Sequence, residues 1–237
     1  MPRYIRPIHN VCHRRPADQR PVLHDVALTL RAGSATAVVG PSGAGKSTLG
    51  RLVVGLHDHA SGTVLLDGVP LHRRAQRRTR EQCRRVQLVP QDPLGSLNPR
   101  HTVRTTLTRP LVLHRRCPAG RRPRRVLELL AAVGLDESLV DRYPAHLSGG
   151  QRQRVAIARA LAAEPDVLVC DEVTSALDPA TAEAVMVLLD GLRRERGLAL
   201  MVISHDLALV AAHTGDVLAL RDGRVVASGT TTRVLAR

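Results

Sequence analysis

The sequence predicts an α/β fold organised on a parallel sheet, and three observations predict it. Short runs rich in Val, Leu and Ile occur at Ala35–Val39, Val86–Val89, Val167–Cys170, Leu198–Ile203 and Val217–Leu220. Each is continuous rather than alternating, the pattern of strands buried on both faces. Segments with helical spacing fall between them, at Lys46–Leu56, Arg124–Val133, Arg152–Ala162, Ala180–Arg194 and Asp206–Ala212. Such alternation calls for right-handed crossovers around a parallel sheet. Finally, the first of these strands runs straight into a glycine-rich loop followed by a helix.

The remaining elements follow in chain order. Ile5 to Leu30, with Val64–Leu66, reads as antiparallel strands leading into the core, and Asp67-Gly68 supplies a turn signal. The interval from Asp92 to His146 carries Pro, Arg and helical segments without a convincing strand, and is expected to be a helical insertion. The expectation is one domain over residues 1–237. Its catalytic core with a β subdomain covers about 1–91 and 160–237, and its helical subdomain about 92–159.

Composition sets outer limits. With 43% apolar residues, no Trp or Phe and only Tyr4 and Tyr143 as aromatics, the core must pack from aliphatic side chains. No run reaches the roughly 18–20 apolar residues of a membrane span, and the start lacks the apolar stretch of a secretory signal, so a cytoplasmic location is expected. Cys12, Cys83, Cys117 and Cys170 are widely spaced, suggesting neither a zinc site nor a disulfide framework. The formal charge is +14, and 34 of the 35 basic residues are arginine. Two dense runs, Arg73 to Arg85 and Arg115 to Arg125, read either as a solvated face or as a patch for an anionic partner.

After the strand Ala35–Val39 stands Gly40-Pro41-Ser42-Gly43-Ala44-Gly45-Lys46-Ser47-Thr48, then a helix. This is the strand, G-x-x-x-x-G-K-[ST], helix context of a P-loop. Its glycines let backbone N–H groups converge on phosphate oxygens, and the helix start favours negative charge. Lys46 would reach the terminal phosphates of ATP, and the Ser47 hydroxyl would ligate Mg²⁺. Lys46 is the only lysine. Placed at random among the basic positions it would land here about once in 35 trials, and the larger planar fork of Arg is a poor substitute.

A second chemical element ends the run Val167-Leu168-Val169-Cys170 with Asp171-Glu172. Ligands bind where parallel strands end. Asp171 would hold Mg²⁺ through water, and Glu172 would polarise the water that attacks the γ-phosphate. Between the two elements lies Leu147-Ser148-Gly149-Gly150-Gln151-Arg152-Gln153-Arg154. Ser148 suits the cap of the following helix, and Gly149 and Gly150 leave its first N–H groups bare for an anion.

On these residues the sequence resembles the ABC ATPases over nearly its whole length, which implies a P-loop NTPase, RecA-like core. The resemblance makes Gln91 the Q-loop glutamine, contacting Mg²⁺ and water. Ser175-Ala176-Leu177-Asp178 becomes the D-loop, and His205 the switch histidine at the γ-phosphate. It implies ATP and Mg²⁺ as cofactors and a second ATPase subunit, identical or related, whose Ser148, Gly149, Gly150 and Gln151 close over the ATP on Lys46. Two permease subunits and a solute-binding protein would complete an importer, with this chain on the cytoplasmic face of the plasma membrane.

The chain departs from the family pattern in two places. The usual aromatic that stacks adenine is missing, leaving His13 as the candidate and Tyr4 as the alternative. Val173 replaces a common proline and is expected to need only an extended conformation. The stretch Gln91-Asp92-Pro93-Leu94-Gly95-Ser96-Leu97-Asn98-Pro99-Arg100 resembles the peptide and nickel importer branch, and the ending at Arg237 resembles its shorter members. A soluble ABC ATPase acting on DNA or ribosomes is the competing reading, favoured by the charge. The short Lys46–Ser148 interval leaves no room for a long coiled-coil arm, so no nucleic-acid partner is expected.

Overall fold

A six-stranded sheet positions Lys46, Ser47, Gln91, Asp171, Glu172 and His205. The computed structural model describes residues 4–14 and 21–236, with backbone alone for residues 4–14, Pro21 and Leu94. In chain order the elements are β1 (Tyr4–Arg14), β2 (Pro21–Arg31), β3 (Ala35–Val39), α1 (Lys46–Val53), β4 (Ser61–Thr63), β5 (Leu65–Leu66), β6 (Val69–Pro70) and α2 (Arg80–Arg85). There follow β7 (Val86–Val89), α3 (Pro93–Ser96), α4 (Val103–Leu113), α5 (Arg122–Ala132), α6 (Gly149–Leu161), β8 (Val167–Asp171) and α7 (Pro179–Arg196). The chain continues through β9 (Ala199–Ile203), α8 (Leu207–His213), β10 (Asp216–Arg221), β11 (Arg224–Thr230) and α9 (Thr231–Leu235).

The strand order is β11-β10-β3-β9-β8-β7. All neighbours are parallel except the β10–β11 pair. Every residue of β3, β8 and β9 is buried, which is why those runs carry no polar alternation. One apolar cluster packs α4 to α7 against the sheet, with Leu107, Leu129, Ile157 and Leu189 fully enclosed. A second joins α1 to β2, through Leu23, Leu30, Leu49 and Leu52. A separate antiparallel layer pairs β1 with β2 and with β4, and β5 and β6 form a hairpin around Asp67-Gly68.

Three local readings need correction. The helix expected over Lys46–Leu56 stops at Val53, because Leu56 N–H turns back to Arg51 O (2.8 Å) and Gly55 N–H to Leu52 O (3.0 Å). These two bonds form a Schellman closure. Strand β11 went unforeseen: as an edge strand its residues alternate between exposed and half-buried, so no continuous run marks it. Val173 is not extended. It occupies the second position of a turn closed by Ser175 N–H on Glu172 O (3.1 Å), where a proline would be pre-set, and its side chain is buried instead.

The β10–β11 turn explains how this end of the sheet is braced. Asp222 and Gly223 adopt φ of 49° and 73°, and Gly223 donates to Ala44 O (3.2 Å) while its own carbonyl accepts from His24 N–H (2.8 Å). A Cβ on Gly223 would overlap the Val22 carbonyl. Gly223→Ala therefore combines positive-φ strain with a backbone clash, and is expected to cost about 2–4 kcal/mol of stability. Urea unfolding at constant m-value measures it.

Candidate active site

Four adjacent strands, β3, β9, β8 and β7, end on the same edge of the sheet, and each delivers one part of the site. Beyond β3 comes the loop Gly40–Gly45. Pro41, Ser42 and Gly43 are exposed, Ala44 and Gly45 buried, and Thr48 half-buried on the first turn of α1. Gly45 caps α1 at φ 99°, and a Cβ there would stand 2.7 Å from Leu23 Cδ2, so only glycine fits. Among the described residues the N–H groups of Gly43, Gly45, Lys46, Ser47 and Thr48 have no acceptor. The first bond from the helix start is Leu49 N–H to Gly45 O, at 2.9 Å. Five converging donors at a helix N-terminus form a cradle for phosphate oxygens.

Lys46 lies within this cradle, 6% exposed. Its Nζ donates to Gly40 O (2.8 Å) and Pro41 O (3.0 Å), which keeps a buried ammonium satisfied until a stronger acceptor takes its place. Ser47 Oγ donates to Asp171 Oδ1 at 2.8 Å, joining the loop to the end of β8. A hydroxyl beside a carboxylate is a hard oxygen pair of the kind Mg²⁺ accepts, so the donor set fits that ion. Burial raises the Asp171 carboxyl above the usual carboxylate range, although the Ser47 hydroxyl and the charge of Arg51 act the other way. Next in the chain, the Cys170 thiol is fully enclosed and pushed up to about 12, a packing thiol.

Because the fold favours protonated Asp171, that residue's contribution to stability is present below the ordinary carboxylate value and lost as pH rises through the raised one. Asp171→Asn is therefore expected to raise the Tm of the nucleotide-free protein at neutral pH by about 2–4 °C, for roughly 1 kcal/mol. The advantage should shrink as the pH falls through the raised value of Asp171 toward the ordinary carboxylate range. Thermal unfolding of both proteins across pH tests this, and a lower Tm for the variant at neutral pH contradicts it.

Glu172 follows in a strained backbone conformation, φ 47°. Its Oε2 accepts from Gln91 Nε2 at 2.8 Å, and His205 Nδ1 lies 4.0 Å from its Oε1. Gln91 leaves the end of β7, and His205 the end of β9 through the buried Ser204. The structure thus gathers Lys46, Ser47, Asp171, Glu172, Gln91 and His205 at one edge.

The segment Ser148–Gln151 stands elsewhere. Ser148 caps α6 in a reciprocal box, with Gln151 N–H on Ser148 Oγ (3.2 Å) and Ser148 N–H on Gln151 Oε1 (2.8 Å). Gly149 and Gly150 keep their N–H groups without an acceptor among the described residues. They open on a groove of about 880 Å³ shared with Asp178 and Thr181, which no residue of Gly40–Thr48 lines. Asp178 caps α7 through Thr181 N–H (3.0 Å), and that hydrogen bonding holds its carboxyl below the usual range. His13 and Tyr4 belong to β1, where His13 sits opposite Leu23, but their side chains lie outside the described residues.

Segment patterns do not reveal two neighbours, Arg51 beside Asp171 and the Gly223 turn under Ala44. The dipeptide Asp222-Gly223 was the available signal for the second.

A family profile described as ABC transporter matches residues 23–175. The chain belongs to the ABC transporter ATP-binding family. Among ABC relatives, the nickel import ATP-binding protein NikE of Escherichia coli is 43% identical over 207 residues, 86% of this chain and 76% of that protein. The oligopeptide transport ATP-binding protein OppF of Lactococcus lactis is 35% identical, over 94% of this chain and 70% of that protein. The chain spans 44–66% of the length of five other curated relatives. The dimeric ABC transporter cassette MJ0796 superposes with a TM-score of 0.83 at 31% identity, covering 98% of this chain and 99% of that one. It has also been solved after hydrolysis, with ADP and phosphate bound.

Proposed function

We propose that this chain hydrolyses ATP as one of two nucleotide-binding subunits that drive uptake of a substrate such as peptides or nickel through partner permeases. One observation carries the reading. The phosphate cradle and Glu172 occupy one edge of the sheet, whereas the bare N–H groups of Gly149 and Gly150 face a separate groove beside Asp178. A head-to-tail pair brings Ser148, Gly149, Gly150 and Gln151 of one subunit onto the ATP held by Gly40–Thr48 of the other. Asp178 lies at that junction. The names of NikE and OppF, and the dimeric state of MJ0796, support the transporter assignment and the pairing.

In this mechanism Lys46 releases Gly40 O and Pro41 O and turns its ammonium to the phosphates. Ser47, Asp171 and Gln91 would hold Mg²⁺, which would supply charge neutralisation at the terminal phosphates. Glu172 accepts the proton of the attacking water once Gln91 yields its place, and His205 steadies the γ-phosphate. Residues 1–91 and 160–237 act as the catalytic body and 92–159 as the lever that meets the permeases. Among the described residues no helix is long and apolar enough to cross a membrane. The chain sits at the cytoplasmic face through its permease partners, and a solute-binding protein outside completes the importer.

Affinity purification of the tagged chain from its native membranes tests the reading. Two permeases should co-purify, and reconstituted vesicles should couple ATP hydrolysis to uptake. Purification without permeases, together with DNA-stimulated ATPase activity, would support the DNA-acting alternative instead.

A further inference from the structure

The two arginine runs of the sequence meet in space. Arg84 comes from the first and Arg116 and Arg125 from the second, and Arg196 at the end of α7 joins them around a cavity of about 520 Å³ that also contains Glu164 and Asp166. Asp166 immediately precedes β8 and Leu198, also in the wall, precedes β9. The cavity therefore lies at the N-terminal ends of the strands, opposite the edge that holds Lys46. Its walls come from both the sheet body and the α4–α5 region.

The charges are unequal. Arg84 is held by Glu81 (2.5 and 2.8 Å) and by the carbonyls of Ala163 and Glu164. The Glu164 carboxylate is shared, one oxygen accepting from Arg116 Nε (2.8 Å) and the other from Arg125 Nη2 (3.3 Å). Asp166 is taken by Arg85. Arg196 makes no side-chain hydrogen bond or salt bridge among the described residues. Four guanidinium groups thus face two carboxylates that are already engaged. The His114 imidazole reports the same field: burial first, then the charges of Arg84 and Arg80, hold it below the usual histidine value. Arg84 is buried and Arg125 half-buried, while Arg116 and Arg196 are exposed, so the cavity these four line is reachable from solvent.

We propose that this cavity is a second anion site, taking a small phosphate oxyanion of the pyrophosphate type on Arg196 and Arg116 and tying the α4–α5 region to the sheet. The planar fork of arginine suits phosphate oxygens bidentately, and Arg196 has all its donors available. The inference is independent of ATP hydrolysis, since it uses none of the residues assigned to it.

Inorganic pyrophosphate is the probe, titrated calorimetrically without divalent cations. Because the phosphate loop can bind it too, the host is Lys46→Ala. Saturable binding is expected, weakened about tenfold or more by adding Arg196→Ala and further by Arg116→Ala, and strongly reduced by salt. Arg196→Ala is the decisive variant, because its removal orphans no acid and should leave the fold intact. Absence of binding in the Lys46→Ala host, or binding indifferent to Arg196→Ala, overturns the proposal. A parallel arm uses vesicles containing phosphatidic acid. Arg196-dependent sedimentation with those vesicles that pyrophosphate fails to compete would assign the cavity to a lipid headgroup and overturn it as well.

Discussion

Replacing Glu172 with Gln is expected to lower steady ATP hydrolysis by about 10²–10⁴-fold while leaving ATP-dependent pairing of subunits intact. The two side chains are nearly isosteric, so the amide oxygen can still accept from Gln91 Nε2, now at 2.8 Å from Glu172. It cannot take a proton. The swap asks nothing new of the backbone, which stands at φ 47° with Glu172, so lost activity is expected to come from the carboxylate rather than from a moved loop. Removing the charge also relieves Asp171, whose carboxyl is raised in part by its neighbour Glu172, so the variant should fold at least as well as the parent. Phosphate release at saturating Mg-ATP gives the rate, and size-exclusion chromatography with and without ATP gives the pairing. Turnover near that of the parent would take the role of base away from Glu172.

What the sequence disclosed about this chemistry follows from how the information is encoded. The strands β3, β8 and β9 were legible because burial on both faces leaves almost no polar interruption, and β7 because its ends Val86 and Val89 are buried around a single polar Gln87. The phosphate loop was legible because its requirements are local: glycine at the helix cap, a lysine beside it, a hydroxyl next. Ser148 was legible as a cap for the same reason, its partner Gln151 being three residues away. Contacts between distant segments were not. Nothing in Asp222-Gly223 announces that its turn carries Ala44, and nothing in Arg84, Arg116 and Arg196 announces a shared cavity. Strand β11 escaped because half of its residues face solvent at a sheet edge. Such features depend on the register of whole elements, which single-segment patterns do not contain.

The second large effect is expected at Lys46. Lys46→Arg preserves the charge and should still reduce ATPase activity by about 10²-fold or more, with stability changed by no more than about 1–2 kcal/mol. The ammonium is 6% exposed and fits between the Gly40 and Pro41 carbonyls at 2.8 and 3.0 Å. A guanidinium is larger and planar, and its five donors cannot all be met by two carbonyls in a loop packed this closely on Leu23. It would be forced outward, across the N–H groups that should receive phosphate. The same conclusion follows from composition, since 34 arginines serve elsewhere in this chain and none stands here. Turnover and nucleotide affinity measured side by side separate the two parts of the argument. Lost affinity places the damage in the cradle, and retained affinity with lost turnover places it in stabilising charge at the γ-phosphate. Near-normal values of both would mean that a point charge alone suffices at this position, and the solitude of Lys46 would then carry no chemical meaning.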